Sequence, residues 1–336
     1  MNVDKRFELV IRNLQEILGE DELKKTLKKK EFSLYWGTMP TGSVSFAYFF
    51  PMLKISDFLK AGIKVKILLA DLHAALDGVS WEVLEKRYEY YKRAIILILK
   101  SIDVDLNKLE FIKGSELQLN KKYFNDLLKL STLTTVAKAK HSASEAVKTA
   151  RENPKMAGLI YPLMQALDEE YLKVDAQFAG LDQRKIQVYA REFLPKIGYK
   201  AKIELMNPMI RGLVGEKMSS SVETSKIDLL DDEETVKRKI NKAECVSGNP
   251  NNGILALLKY LIMIVKRDRG EKFVVMRDKK YGGNLEYINY EEIEKDFVAK
   301  RLHPLDLKNA VALEINRILD PIRQDKLIHK LHKEAY

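Results

Sequence analysis

Short runs rich in β-branched residues alternate with longer segments of helical period through the first two thirds of the chain, and no other feature restricts its fold as strongly. Strands are predicted from these runs at 32–37, 65–70, 109–113 and 174–178. Between them, 81–102 and 123–138 carry apolar residues three and four apart, the spacing of helices that cover a sheet. Parallel strands joined by crossover helices satisfy this alternation, so a Rossmann-like, doubly wound α/β unit with an inserted helical segment is expected. From Asp228 onward the strand signal fades. DDEETVKRKINKA, GILALLKYLIMIVK and DLKNAVALEINRILDPIRQ read as helices with acidic starts and basic ends. At 336 residues the chain exceeds one ordinary domain. The expected division is 1–227 for the α/β unit and 228–336 for a smaller helical domain, with SGNPNNG punctuating a turn inside the second.

MNVDKRFELVIRNLQEIL mixes acidic with apolar residues, so it reads as an amphipathic helix and not as a signal peptide. The apolar stretches at 94–99 and 254–265 are too short or too interrupted to cross a bilayer. With 46% hydrophobic residues and a mean hydropathy of −0.26, little of the chain is expected to be disordered. Lys and Arg number 58 against 48 Asp and Glu, a balance of +10. That excess suits a phosphate-rich partner and suits equally a solvated basic surface with no partner. Cys245 is the single cysteine, which rules out an intrachain disulfide and a Cys-based zinc site and fits a reducing, cytoplasmic setting.

Three segments carry chemistry. In YWGTMPTGSVSFAYFFPM a strand runs through a Pro-Thr-Gly turn into a helix, the layout in which free helix N–H groups face a ligand at a strand's carboxyl end. Taken alone, Pro40 and Gly42 equally make a plain turn. In GEKMSSSVETSKIDLLDD, Lys217 offers phosphate a point charge and Ser219 to Ser221 offer hydrogen bonds, from a loop that could close over a triphosphate or serve as an exposed linker. In YPLMQALDEEYLKVDAQFAGLDQRK, Tyr161, Gln165 and Asp168 stand four and then three apart on one helix face, a poor core and a good pocket.

In this order and spacing the segments resemble class I aminoacyl-tRNA synthetases, specifically the tyrosyl-tRNA synthetases of archaea and eukaryotes. KMSSS at 217–221 is similar to that family's KMSKS loop, and PTGSVSFAY at 40–48 occupies the place of its HIGH signature. ADLHA at 70–74, KVDAQFAGLDQRK at 173–185 and HPLDLKNAVA at 303–312 extend the likeness over nearly the whole chain.

The resemblance implies ATP-dependent activation of tyrosine and its transfer to the terminal 2′-hydroxyl of tRNA(Tyr). Tyr35 and Asp168 would bond the substrate phenol, and Tyr161, Gln165 and Gln183 its ammonium group, with His73 and Gln118 nearby. Considered without the resemblance, His73 reads as a satisfied structural histidine. Asp182 and Gly180 match ribose contacts and Gly42 an adenine contact, while Gly37, Thr38, Ser45, Tyr48, Lys217 and Met218 complete the implied ATP site. Lys217, Ser219, Ser220 and Ser45 are the implied catalytic set. Tyr281, His303 and Asp306 match anticodon contacts, and Arg184 and Lys185 are placed to receive the acceptor end.

Mg²⁺ would accompany the phosphates, with no tightly bound cofactor and no protein metal site, and a homodimer is implied. Two departures stand out. Ala179 replaces the first glycine of the usual pair, and Ser45 replaces the first HIGH histidine. Serine donates one hydrogen bond and cannot become cationic, so slower activation is expected, with a Ser45→His variant faster. A tryptophanyl-tRNA synthetase is the rival within the fold, and a non-catalytic tRNA-binding paralogue the rival outside it. Tyr35 paired with Asp168 favours a phenol over an indole.

Overall fold

The computed structural model describes residues 2–29, 31–147, 153–213 and 226–336. A six-stranded sheet is built from β1 (Glu16–Leu18), β2 (Ser33–Thr38), β3 (Lys64–Leu69), β4 (Leu109–Lys113), β5 (Ala176–Gly180) and β6 (Ile203–Asn207), in the order β1-β6-β5-β2-β3-β4. Strands β2 to β6 are parallel and β1 runs antiparallel along β6. Strand order therefore reverses between β2 and β5. There the crossovers leave in opposite directions and open a crevice at the strands' carboxyl ends. The four predicted strands are present with their ends moved by up to two residues, whereas β1 and β6 were not predicted.

The helices are α1 (Val3–Ile11), α2 (Glu20–Leu27), α3 (Phe49–Lys60), α4 (Asp71–Leu76), α5 (Leu84–Ser101), α6 (Gly114–Gln118), α7 (Lys121–Leu133), α8 (Val136–Ala143), α9 (Met156–Tyr171) and α10 (Arg184–Phe193). Beyond them lie α11 (Glu233–Lys242), α12 (Gly253–Leu257), α13 (Met263–Arg269), α14 (Tyr290–Val298), α15 (Pro304–Arg323) and α16 (Lys326–Ala335). A π-helical stretch, Leu258–Ile262, joins α12 to α13. Short strands β7 (Phe273–Val275) and β8 (Leu285–Tyr287) form an antiparallel pair, a correction to the all-helical expectation beyond Asp228.

Two expected helices are shorter than the sequence suggested. The first stops at Ile11, because Asn13 adopts a left-handed backbone (φ 61°) and redirects the chain into β1. The second divides after Leu133, where the β-branched pair Thr134 and Thr135 interrupts the period. Thr135 then caps α8 by accepting a bond from the Lys138 N–H at 3.2 Å.

The sheet's two faces differ in kind. Leu34, Trp36, Ile67, Leu69, Phe178 and Leu205 point into a continuous apolar core with Phe58, Ile95 and Ile98. On the opposite face the paired positions Glu110, Lys66, Tyr35, Gln177 and Glu204 form one row across β4, β3, β2, β5 and β6. Lys66 spans from Glu110, 3.9 Å away, to the Leu172 carbonyl at 2.8 Å. A parallel sheet covered on both sides is expected to be apolar throughout, so this polar row marks the face that serves a ligand.

Candidate active site

A cavity of about 370 Å³ opens at the switch point. Tyr35, Gly37 and Thr38 reach it from β2, Tyr161, Gln165 and Asp168 from α9, and Gln177 and Gly180 from β5. Tyr48, His73, Asp182 and Gln183 close its sides. An adjoining space of about 260 Å³ shares Trp36, Ala179, Gly180 and Asp182 with it. The predicted helix face is thus real, and its three polar residues look into one chamber. A methyl on Gly180 would come within 2.6 Å of Asp182 Oδ1 and push that carboxylate from its place on the chamber wall.

Asp168 ends the deep side of the chamber. The Gln118 amide donates to its Oδ1 at 2.9 Å and Oδ2 at 3.0 Å, and Tyr123 Oη lies 2.8 Å from Oδ1. The Tyr123 hydroxyl lies equally close, 2.8 Å, to the Met164 carbonyl. Its one proton therefore serves either acceptor, and the hydroxyl stays bonded whichever charge Asp168 carries. Burial is the dominant influence on Asp168 and lifts its pKa to about 7, against the pull of these donors. The same Gln118 nitrogen is 3.1 Å from His73 Nδ1. An amide N–H donates, so Nδ1 accepts and the neutral ring carries its proton on Nε2. Burial lowers the His73 pKa to about 4, so its 3.8 Å approach to Asp168 is not an ion pair.

Beside this fixed group stand buried atoms with no hydrogen-bond partner. They are Tyr35 Oη, His73 Nε2, Gln118 Oε1, Gln165 Oε1 and Gln177 Oε1, so His73 is not the fully satisfied histidine its sequence context suggests. Burial holds Tyr35 and Tyr161 neutral. Glu169 and Glu204 are also fully buried and unpartnered, with their pKa values driven up first by burial, then by nearby carboxylates. Orphaned buried groups cost on the order of 1–3 kcal/mol each, and a ligand hydroxyl or ammonium group recovers that cost.

The remaining predicted positions lie elsewhere. Gln118 stands behind Asp168 and not on the cavity wall. Gly42 and Ser45 do not border either space, and Ser45 is buried where it bridges Asp228. Lys217, Met218, Ser219 and Ser220 lie outside the described residues. Arg184 forks onto Glu16 at 2.7 and 2.8 Å, and Lys185 reaches Ser144 and Glu145. Tyr281 is 65% exposed, and His303 caps α15 by accepting from the Leu305 N–H at 3.2 Å, with Asp306 half-buried in the first turn. Sequence reasoning missed Tyr123 and Gln177. A polar residue inside the run AQFAG was the available signal for Gln177, whereas nothing local marked Tyr123.

The family model for class I tRNA synthetases of tryptophan and tyrosine matches residues 27–320. A probable cytoplasmic tyrosine–tRNA ligase of Encephalitozoon cuniculi is 44% identical, with 97% of this chain and 96% of that protein covered. The chain belongs to the class I tyrosyl-tRNA synthetase family, of the archaeal and eukaryotic type.

Among the synthetases it resembles, the cytoplasmic tyrosine–tRNA ligase of Danio rerio is 50% identical over all of this chain. The chain spans about 64% of that relative's length. A crystal structure of the Archaeoglobus fulgidus tyrosyl-tRNA synthetase complexed with L-tyrosine superposes with a TM-score of 0.88 at 38% identity, covering 96% of this chain and 99% of that one. The synthetase fold of this chain thus carries its chamber at the expected switch point.

Proposed function

We propose that the chain is a cytoplasmic tyrosine–tRNA ligase that activates tyrosine with ATP and esterifies it to the 3′-terminal adenosine of tRNA(Tyr). One observation carries the reading: a neutral, unpartnered Tyr35 hydroxyl shares a buried chamber with Asp168, whose Oδ2 accepts from the Gln118 amide at 3.0 Å. A phenol hydroxyl donates to the carboxylate and accepts from Tyr35. An indole N–H can only donate, and leaves Tyr35 unmet. At the other end, Tyr161, Gln165 and Gln183 supply the acceptors and aromatic face that suit an ammonium group.

ATP lies against Gly37, Thr38, Tyr48, Gly180 and Asp182, with the adjoining space taking the purine. In this site a tyrosine carboxylate oxygen bonds to the α-phosphorus in line as the bond to pyrophosphate breaks. The ribose 2′-hydroxyl of tRNA then attacks the carbonyl carbon of the mixed anhydride and releases AMP. Mg²⁺, when bound to the phosphates, neutralises charge on their oxygens. No protein nucleophile takes part. Lys217, Ser219 and Ser220 fall to the phosphate side by resemblance, whereas Ser45, buried where it bridges Asp228, touches neither space.

Residues 1–227 form the activating domain and 228–336 the anticodon domain in this reading. The exposed Tyr281 ring offers a stacking surface for an unpaired base, with His303 and Asp306 for its edge. Arg184 and Lys185 would exchange their carboxylate partners for acceptor-stem phosphates. A homodimer is supported by Leu119, Phe124 and Leu128, which expose apolar side chains on α7 and at its junction with α6. A monomeric mass at micromolar concentration in analytical ultracentrifugation would remove that part.

ATP–pyrophosphate exchange tests the activity. Tyrosine is expected to support exchange and tryptophan and phenylalanine to fail, whereas exchange with tryptophan alone, or with none, overturns the assignment.

A further inference from the structure

The turn at 41–44 lies outside regular secondary structure, yet α5 holds it at every step. Tyr91 Oη donates to the Gly42 carbonyl at 2.6 Å and accepts from the Gly42 N–H at 3.3 Å. The Tyr90 hydroxyl accepts from the Val44 N–H at 3.3 Å and lies 3.3 Å from Ser43 Oγ. The Arg87 guanidinium donates to the Thr41 carbonyl. Arg87, Tyr90 and Tyr91 stand three and four apart on one face of α5, so a single helix presents all of these contacts.

Behind that face sits α16, from the far end of the sequence. His332 Nε2 reaches the turn itself, 3.2 Å from Ser43 Oγ. Arg87 Nε donates to the Ala335 carbonyl at 3.4 Å, and its guanidinium lies 4.6 Å from the centre of the Tyr336 ring. Tyr90 packs edge-on against both His332 and Tyr336. The first turn of α16 is pinned as well, because its cap Asp325 pairs with Arg93 on α5. On the opposite side, Tyr91 packs on Tyr48, whose hydroxyl is 2.9 Å from Thr38 Oγ1. Thr38, Thr41 and Tyr48 border the chamber. An unbroken series of contacts thus runs from the last helix to the wall on which ATP is placed.

We infer that α16 is a strut for the nucleotide turn, with His332 a positioning residue that acts through Ser43, so that docking of the carboxyl-terminal helices sets ATP affinity without altering the tyrosine pocket. The inference rests on the proposed placement of ATP. Its energy scale is small. One neutral hydrogen bond is worth about 1 kcal/mol, or about fivefold in an equilibrium constant. The phenol end shares no hydrogen bond with α5 or α16 among the described residues, so the two substrates should respond separately.

Exchange kinetics on the full chain test this with His332→Ala, Ser43→Ala, their double variant and His332→Gln. Removing either partner is expected to raise KM for ATP about fivefold. KM for tyrosine should stay within about twofold, the double variant should be no worse than either single one, and glutamine should recover most of the loss. An unchanged KM for ATP in variants that melt with the parent, or an equal rise for both substrates, overturns the strut. Should His332→Ala fail to fold, Ser43→Ala removes the same bond from the other side and is read alone. Absence of tyrosine-dependent exchange in the parent protein would instead sink the proposed activity, and so separates the two failures.

Discussion

The chamber's two ends solve opposite problems. At the phenol end the backbone is buried in regular strands and helix, and it is side-chain atoms that remain unspent: Tyr35 Oη, Gln165 Oε1 and Gln177 Oε1 lack partners while Asp168 is held by two donors. At the nucleotide end the chain is irregular, and side chains of α5 are spent on fixing its backbone. The contrast teaches where selectivity resides. A neutral hydroxyl is recognised by buried groups left deliberately hungry, whereas a large polyanion asks mainly for a wall of fixed shape. This family is the standard example of the first device, rejecting phenylalanine by about 10⁵ without editing.

The sharpest way to break the comparison is Asp168→Ala. It removes the acceptor and strands Gln118, so kcat/KM for tyrosine in the exchange reaction should fall about 10²- to 10³-fold while KM for ATP barely moves. Equal damage to both substrates would mean that the ends are not independent. Tyr123→Phe is milder. It leaves Asp168 with Gln118 alone, and KM for tyrosine should rise about five- to tenfold by the same assay. No change would show that the Tyr123 proton rests on the Met164 carbonyl.

A third expectation concerns pH and stability. Burial depresses His73 to about 4, so below about 6.5 the unfolded chain gains a proton that the folded one refuses, and stability is lost as pH falls. Asp168 acts in the reverse sense. Its folded pKa of about 7 means that the native state keeps a proton the unfolded chain releases above about 4, and stability is lost as pH rises toward 7. Between about pH 4 and 6.5 the two slopes cancel. In Asp168→Asn the histidine acts alone, so urea melts at pH 5 and 6 should show the variant gaining up to about 1.4 kcal/mol per pH unit relative to the parent. Parallel pH profiles would mean that Asp168 is ionised throughout and that its environment is more polar than its burial implies.

What was legible beforehand follows the range of each signal. Tyr161, Gln165 and Asp168 repeat with the helix period and were readable as one face, and Tyr35 lay in a short run whose aromatic content announced a strand. Gln177 and Glu204 were not readable as partners of Tyr35. Their alignment is a property of strand pairing between segments far apart in sequence, and no local pattern encodes it. The same holds for Tyr123, which meets Asp168 across 45 residues. Strand β1 failed for a different reason. Three residues are too few for an alternation to register, and the helical period of Val3–Ile11 leads smoothly into them. The hairpin strands β7 and β8 are equally short.

The unlike faces of the sheet have a consequence for how such a protein can change. Along β2, β5 and β6 the odd and even positions answer to different constraints: one set to shape-filling beneath α3 and α5, the other to whatever occupies the chamber. Substitutions in the second set can therefore retune which side chain is welcomed while the load-carrying interior is left alone, and a lineage or an engineer can explore new amino acids at little risk to foldedness. The converse also holds. A slip of one residue in β2 would exchange Tyr35 for Trp36 and ruin both surfaces together, so correct assembly and correct chemistry stand or fall as one.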